Sequence, residues 1–440
     1  MKSFREFGID VPEILLPKDA DISTWSVIAC DQYTQDESYW DSVKRTVGSK
    51  DSTLNLILPE IYLNSPDRDE RVGRIRAAMK DYLARGVFAP AEREFIYVER
   101  TTAFGRTRKG LVAALDLETY EWKPFSSALT RATEATIVER IPPRKEIRRG
   151  APLEIPHIML LVNDPDHSLI EACGARVRDG VPAYEGNLML GAGSIKGWAV
   201  RDERDLDFLH DALSAISKKN AQDDGSVFLF AVGDGNHSLA TAKAVWDEHK
   251  ASTGLTESPV RYALVELVNI YDEGLTFEPI HRVLFGTDGA RLLEFLRSDL
   301  GGTVRQCGAE EMEASVRNSR ASFGFVYKGL SGRTEHAVLE TDITDLAVSR
   351  LQPALDDFIR SESSGSDSVE IDYIHGSDEV LRLGGKDGAV SVMLPPVAKD
   401  SFFATISARG PLPRKSFSMG EASEKRFYLE CRALFSGPCE

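Results

Sequence analysis

The stretch that most constrains this chain runs from Phe228 to His249, "FLFAVGDGNHSLATAKAVWDEH". The short apolar run Val227–Val232 predicts a buried strand. Asp-Gly-Asn predicts a sharp turn: Gly235 supplies a positive φ, and Asp234 or Asn236 can cap a helix after it. Leu239, Ala242, Val245 and Trp246 then recur on one face, so a helix begins at once. A buried strand that feeds straight into a helix commits this part of the chain to a mixed α and β architecture.

The chemistry of that turn comes from its geometry. A helix start exposes backbone N–H groups and the positive end of the peptide dipoles, which suits a phosphate. His237 and Ser238 fall in the first helical turn, and both can donate hydrogen bonds to an anion. Asp234 can hold a metal ion or orient His237. The competing reading is that Asn236 caps a helix and His237 is a partly buried bystander.

Elsewhere the pattern is mixed. "YTQDESYWDSVKRTVGS" reads as a helix start with Thr34 and Glu37 as a capping box. "NSPDRDERVGRIRAAMKDYLARGVF" predicts a helix with Ser65 as cap, Gly86 as stop and a stripe of Val72, Ile75, Met79 and Leu83. "EFIYVERTT" and "KGLVAALDLE" read as paired strands. A strand is expected near Ile158–Val162, a hairpin in "NLMLGAGSIKGWAV" and a helix in "ERDLDFLHDALSAISKK". After about Leu275 the elements shorten. Helices are expected at Ala290–Leu300, Glu310–Arg317 and Asp345–Arg360, and a last one in "DSFFATISA". Strands are expected at Ser322–Tyr327, His336–Glu340, Val369–Tyr373 and Ala389–Leu394. "SESSGSDS" reads as a loop. The expected class is α+β, a mixed α/β fold. Residues 1–288 would form an N-terminal domain carrying the Asp234 turn. Residues 289–440 would form a smaller C-terminal domain whose last segment returns toward the site.

Charge and cysteine content exclude some functions. The chain has 440 residues and a net charge of −16. That balance repels phosphate backbones, so nucleic acid is not an expected partner. The five cysteines are scattered without a C-x-x-C pair, which argues against zinc and disulfide frameworks. No apolar run approaches the roughly 18 residues of a membrane span. "MKSFREFGIDVPEILLP" lacks the apolar core of a signal peptide, so a cytoplasmic location is expected. A homo-oligomer is compatible with all of this.

"GAGSIKG" resembles a dinucleotide loop, but its spacing is G-x-G-x-x-x-G and "WAVRDE" after it does not start a helix. A glycine-rich hairpin is the better reading. Against an acidic background the cations Arg131, Arg140, Arg144, Lys145, Arg148 and Arg149 stand out. Such a run is commonly a solvated face; the functional reading is a clamp on a polyphosphate or carboxylate. Thr133 and Glu134 precede it. Asp31, after the apolar Trp25–Ala29, is a candidate base or metal ligand. "PIHR" places His281 and Arg282 after Pro279, and "LPRKSF" places Lys415 and Ser416 after Pro413, with Lys425 nearby. G-x-S-x-G, Walker and H-E-x-x-H patterns do not occur.

These separate segments resemble, in order, the family of the domain of unknown function 1015. Its "DGHHR" motif reads "DGNHS" here, its "PTHR" reads "PIHR", its "MPxKST" reads "LPRKSF", its cationic stretch lies in "TIVERIPPRKEIRRG" and its "PPYD" has become "ACDQY". Asn236 replaces the first His, and Ser238 replaces the Arg. The motif is itself similar to one in the ParB-like nucleotide-binding fold, including free serine kinases, where it opens a helix and holds nucleotide phosphates. The resemblance thus implies a ParB-like core and a kinase-like transferase acting on a small hydroxyl-bearing metabolite such as serine. Its cofactor would be ATP or ADP with Mg2+. Asp234, Gly235, Asn236, His237 and Ser238 would cradle the phosphates, with Arg140, Lys145, Arg148, His281, Arg282, Lys415 and Ser416 supplying charge and hydrogen bonds. Asp31, Glu134 and His237 would act in catalysis, and Asp234 would ligate the metal. The alternatives are a nucleotide-binding switch, a phosphohydrolase with His237 as base, or a non-catalytic scaffold. With Ser238 in place of Arg, the charge must come from elsewhere, and residues 140–149 are the first place to look.

Overall fold

The computed structural model describes residues 2–135, 141–222, 224–362 and 368–435. The chain divides into two compact units. The first comprises Met1–Leu275 and Gly420–Glu440, and the second Thr276–Met419. Position 288 therefore lies within the second unit, just after the strand His281–Phe285.

The first unit is built on a mixed sheet. From one edge its strands are Tyr184–Asn187, Gly193–Val200, Phe95–Thr102, Thr107–Asp116, Tyr262–Asn269, Met159–Val162, Phe230–Asp234, Thr130–Arg131 and Tyr120–Glu121. Met159–Val162 runs parallel to Tyr262–Asn269 and antiparallel to Phe230–Asp234. The class is mixed α/β, as expected. Both faces of the sheet's central strands are apolar, because the sheet is covered on both sides. One face packs Leu160, Val162, Phe230 and Val232 against Leu239, Val245 and Trp246. The other carries Ile96, Val98, Val112 and Leu264 against Trp25, Trp40, Met79 and Tyr82.

Local sequence explains most elements, with instructive exceptions. The first long helix spans Glu37–Val47, but its cap is Asp36, whose carboxylate accepts from Tyr39 N, rather than Thr34. The next spans Arg68–Arg85 and ends at Gly86 in the left-handed region. It buries Val72, Ile75, Met79 and Tyr82; Leu83 is 41% exposed. "GAGSIKG" leads into the strand Gly193–Val200, which pairs with Tyr184–Asn187 as a hairpin. The cationic stretch forms a helix, Ile141–Arg148, where the sequence suggested only a surface segment. Pro142 and Pro143 sit in its first turn, where missing N–H donors cost no intrahelical bond. Residues 363–367 of "SESSGSDS" lie outside the described residues.

The second unit holds an antiparallel sheet in the order Thr303–Cys307, Thr334–Glu340, Ser322–Lys328, Ala389–Met393, His281–Phe285 and Glu370–Ile374. The helices Gly289–Leu300, Ala309–Arg317, Ala347–Glu362 and Lys399–Arg409 lie close to their expected positions. The strand Thr303–Cys307 and the helix Ser377–Gly384 were not legible. The strand is mostly solvent-facing, and the helix is only eight residues long.

The C-terminal segment from Gly420 is threaded back through the first unit. Phe427–Tyr428 pairs with Val27–Ile28, and Arg432–Ala433 pairs with Leu153–Glu154. A buried charge network holds it there. Glu266 meets both Arg108 and Arg426, Arg426 also binds Glu430, and Tyr184 donates to Glu430. Gly110 makes room for this network, since a Cβ there would stand 2.4 Å from Glu266 Oε1. Burial opposes the charge on Glu266, but Arg108 and Arg426 outweigh it and hold the carboxyl below its usual range.

Candidate functional site

The strand Phe230–Asp234 ends in a register slip. Met159 faces Asp234 while Leu160 faces Val232, so Gly233 is the extra residue. A bulge of this kind re-aims the next side chain, here Asp234. Gly235 comes next at φ 82°, and a Cβ there would stand 3.0 Å from Ile158 Cγ1. Both facts call for glycine. The helix Asn236–Thr253 starts immediately, without a side-chain cap. Its first turn carries His237 and Ser238, both half-buried.

Each polar residue of the turn has a defined place. Asp234 Oδ1 accepts from Gly235 N at 2.9 Å, and Oδ2 lies 3.2 Å from Lys425 Nζ. Asn236 does not cap its own helix. Its Oδ1 accepts from Thr133 N and its Nδ2 donates to Thr133 Oγ1, both at 3.3 Å. Thr133 in turn donates to Val232 O, tying the motif strand to the segment that carries Glu134.

Ser238 begins a second chain of contacts. Ser238 Oγ lies 2.9 Å from His157 Nε2, and His157 Nδ1 lies 3.0 Å from the Tyr428 hydroxyl. Cys30 N donates to the same hydroxyl at 3.1 Å. Burial pushes the Tyr428 phenol well up, so it keeps its proton. Imidazole nitrogen is a far stronger acceptor than the neighbouring Cys30 sulfur, so that proton points to Nδ1. A ring that accepts at Nδ1 carries its proton on Nε2 and donates it to Ser238 Oγ. Ser238 is left with an O–H to donate onward. This is the reverse of a nucleophile triad, in which Nε2 accepts the serine proton.

A cavity of about 150 Å³ opens beside Ser238 and Thr241. Its wall is mostly aliphatic, with His157, Tyr428 and Cys30 among its polar members. Asp31, the residue after Cys30, accepts from Gln32 Nε2 at 3.0 Å.

The described cations of residues 144–148 are paired elsewhere. Arg140 lies outside the described residues. Arg144 binds Glu60. Lys145 binds Glu248, which lies twelve residues beyond Asn236, roughly 18 Å along the helix at 1.5 Å per residue. Arg148 binds the buried Glu154, which Arg432 also holds at 3.1 Å through Nε. Burial opposes the Glu154 charge, but Arg148 and Arg432 outweigh it and keep the carboxyl below its usual range. Among the described residues, Lys425 meets the turn at Asp234. It was legible only as a neighbour of "LPRKSF", since nothing local links it to Asp234.

His281, Arg282, Lys415 and Ser416 belong to the second unit. Arg282 is fully buried; it donates from Nε to Gln352 Oε1 at 2.9 Å and from Nη1 to the Lys415 carbonyl at 3.0 Å. His281 is buried and accepts from Leu394 N at Nδ1, 3.0 Å. Burial, with Arg282 and His375 nearby, lowers its pKa to about 4, so it is neutral at physiological pH. Ser416 is buried and donates to Pro413 O. Lys415 is exposed, with φ 59°. Arg282 thus joins the two expected motifs as a clamp on the Lys415 turn.

Solved structures similar to the chain include a conserved hypothetical protein from Pyrococcus furiosus. It shares 10% identity at a TM-score of 0.33, covering 68% of this chain and 92% of that one. A free serine kinase variant in complex with AMP shares 9% identity at a TM-score of 0.36, covering 71% and 88%. SbnI from Staphylococcus aureus, truncated at its C-terminus, shares 10% at 0.33, covering 74% and 84%. At such scores, function rests on the chemistry of the site itself. No curated protein matches the sequence. The model of the family described as "Protein of unknown function (DUF1015)" matches residues 13–356, well over half of the chain, and the chain belongs to that family.

Proposed function

We propose that the protein is a nucleotide-dependent phosphotransferase. The Asp234–Ser238 turn would hold the nucleotide phosphates, and the adjoining cavity a small hydroxyl-bearing metabolite. One observation supports this above the others: a helix start without a side-chain cap lies against a largely buried lysine, Lys425. First-turn N–H groups and the helix dipole attract anions, and Lys425, here paired with Asp234, would add its positive charge once a phosphate competes for it. The likeness of "DGNHS" to the phosphate-holding motif of the ParB-like fold points the same way.

Phosphoryl transfer is mostly positioning and charge stabilisation. The acceptor oxygen bonds to the terminal phosphorus, and the bond from that phosphorus to the leaving nucleotide oxygen breaks. The acceptor's proton passes to a carboxylate. Glu134, next to the Asn236-bound Thr133, and Asp31, next to Cys30 of the cavity wall, are the candidates for that role. Lys425 takes the neutralising part first sought in residues 140–149.

Among the described residues, no group of three or more His, Cys, Asp or Glu side chains could hold a metal ion. Mg2+ bound chiefly by phosphate oxygens would take Asp234 as its single protein ligand by displacing Lys425 from Oδ2, and the ion would neutralise phosphate charge. The arrangement of Ser238 and His157 disfavours Ser238 as a nucleophile and does not bear on the alternative hydrolase with His237 as base. The test is calorimetric titration with ATP, ADP and CTP, followed by a metabolite screen for phosphate transfer. Absence of binding by a stably folded protein overturns the proposal. Phosphate release without an acceptor would favour the hydrolase, and binding without turnover the switch.

A further inference from the structure

The cavity beside Ser238 specifies more than a hydroxyl. We propose that it accepts a small neutral alcohol with an apolar body, rather than a zwitterionic or polyhydroxylated one. The proposal rests on the phosphotransferase reading only in calling that ligand the phosphate acceptor.

Three observations carry it. The first is size: about 150 Å³, comparable to a protein cavity that takes benzene. The second is the wall. Leu58, Leu63, Met79, Ile147, Ile158 and Leu264 line it, and aliphatic walls gain most from apolar ligand surface. The third is charge balance. The charged residues of the lining are Glu60, Arg144, Arg148 and Glu154, and they form two ion pairs, Arg144 with Glu60 and Arg148 with Glu154. The ammonium of a free amino acid would have to compete with an arginine for Glu60 or Glu154, because both carboxylates of the lining are already paired. A neutral alcohol breaks neither.

The polar end of the ligand is placed by Ser238. Its oxygen is taken up by His157 Nε2–H, so its own O–H is the donor that remains. A ligand hydroxyl oxygen accepting that bond lies at the mouth of the phosphate-suited turn, with its body in the aliphatic wall. Serine, proposed from resemblance alone, has no apolar body to bury and two charges to satisfy.

The experiment is ligand-observed NMR on the full chain. Benzyl alcohol, toluene, L-serine, glycerol and adenosine are the probes. Benzyl alcohol should bind, and L-serine and glycerol should not. Ile147→Trp or Leu63→Trp, each at a half-buried wall position, should weaken benzyl alcohol roughly tenfold or more by filling the space. Ser238→Ala should weaken benzyl alcohol about fivefold and leave toluene unchanged, the signature of one neutral hydrogen bond. Binding of L-serine or glycerol in place of benzyl alcohol overturns the proposal. Displacement of benzyl alcohol by adenosine overturns it too, since the cavity would then belong to a nucleotide base. So does benzyl alcohol binding that neither tryptophan variant disturbs. ADP titration of the same samples separates the two readings: benzyl alcohol binding without ADP binding removes the phosphotransferase and keeps the ligand class.

Discussion

Lys425 Nζ lies 3.2 Å from Asp234 Oδ2, and both side chains are largely buried. The pair brings a cation from the C-terminal segment to the start of the motif helix. Lys425→Met should therefore lower ADP affinity by roughly tenfold to a hundredfold, the range for a lost charged hydrogen bond. Asp234→Asn should act oppositely on a free anion such as inorganic phosphate, because Lys425 is released from its partner. Calorimetry on both variants checks the sign. Equal weakening by both would place the phosphate elsewhere.

The Tyr428 hydroxyl sets the proton position on His157. In wild type the ring should carry its proton on Nε2 and accept at Nδ1, as read from ring ¹⁵N shifts. Tyr428→Phe removes the donor to Nδ1, so the ring should lose that fixed tautomer and become a mixture. Ser238→Ala should leave the Nε2–H form in place. An Nδ1–H ring in wild type would reverse the assignment and make Ser238 a candidate nucleophile.

Glu266 pairs with two buried arginines, so Glu266→Gln strands Arg108 and leaves Arg426 with Glu430 alone. Loss of one partner from a buried pair costs about 3–5 kcal/mol. A fall in unfolding free energy of that size is expected, read as a lower denaturant midpoint at unchanged m-value. The folded carboxyl pKa is depressed, so its contribution is complete above the unfolded value of about 4.3 and is lost as pH falls through the folded one. Wild type should thus destabilise steeply below about pH 4.3, and Glu266→Gln less steeply.

His281 gives the second unit a different pH window. Its folded pKa of about 4 lies below the ordinary value of 6.5. The stabilisation is complete above 6.5 and declines as pH falls toward 4, because the unfolded chain takes up the proton first. Between pH 7.5 and pH 5 this site alone should cost about 2 kcal/mol. Hydrogen exchange at Leu394 N, the donor to His281 Nδ1, reports it locally. A flat profile there would remove the assignment.

The readable parts of the fold were those whose causes are local. Val227–Val232, Gly235 and the stripe Leu239, Ala242, Val245 and Trp246 announce strand, turn and helix, because periodicity and glycine conformation act over a few residues. The Pro142–Pro143 helix was less readable, since two prolines at a helix start look like a break. Leu83 was misread as core because Tyr82 beside it reaches the buried face instead.

The site divides the same way. Sequence alone determined that a helix begins at the Asp234–Ser238 turn, because five adjacent residues contain everything that turn needs. It could not say which cation serves the turn. Six cations close together in sequence drew attention to residues 131–149, yet Arg144, Lys145, Arg148 and Arg149 have carboxylate partners within the first unit. Tertiary structure alone brought Lys425, His157 and Tyr428 to Asp234 and Ser238. The reason is that ion pairing and hydrogen bonding depend on distance through space, and the fold decides which carboxylate each cation meets, Asp234 in the case of Lys425.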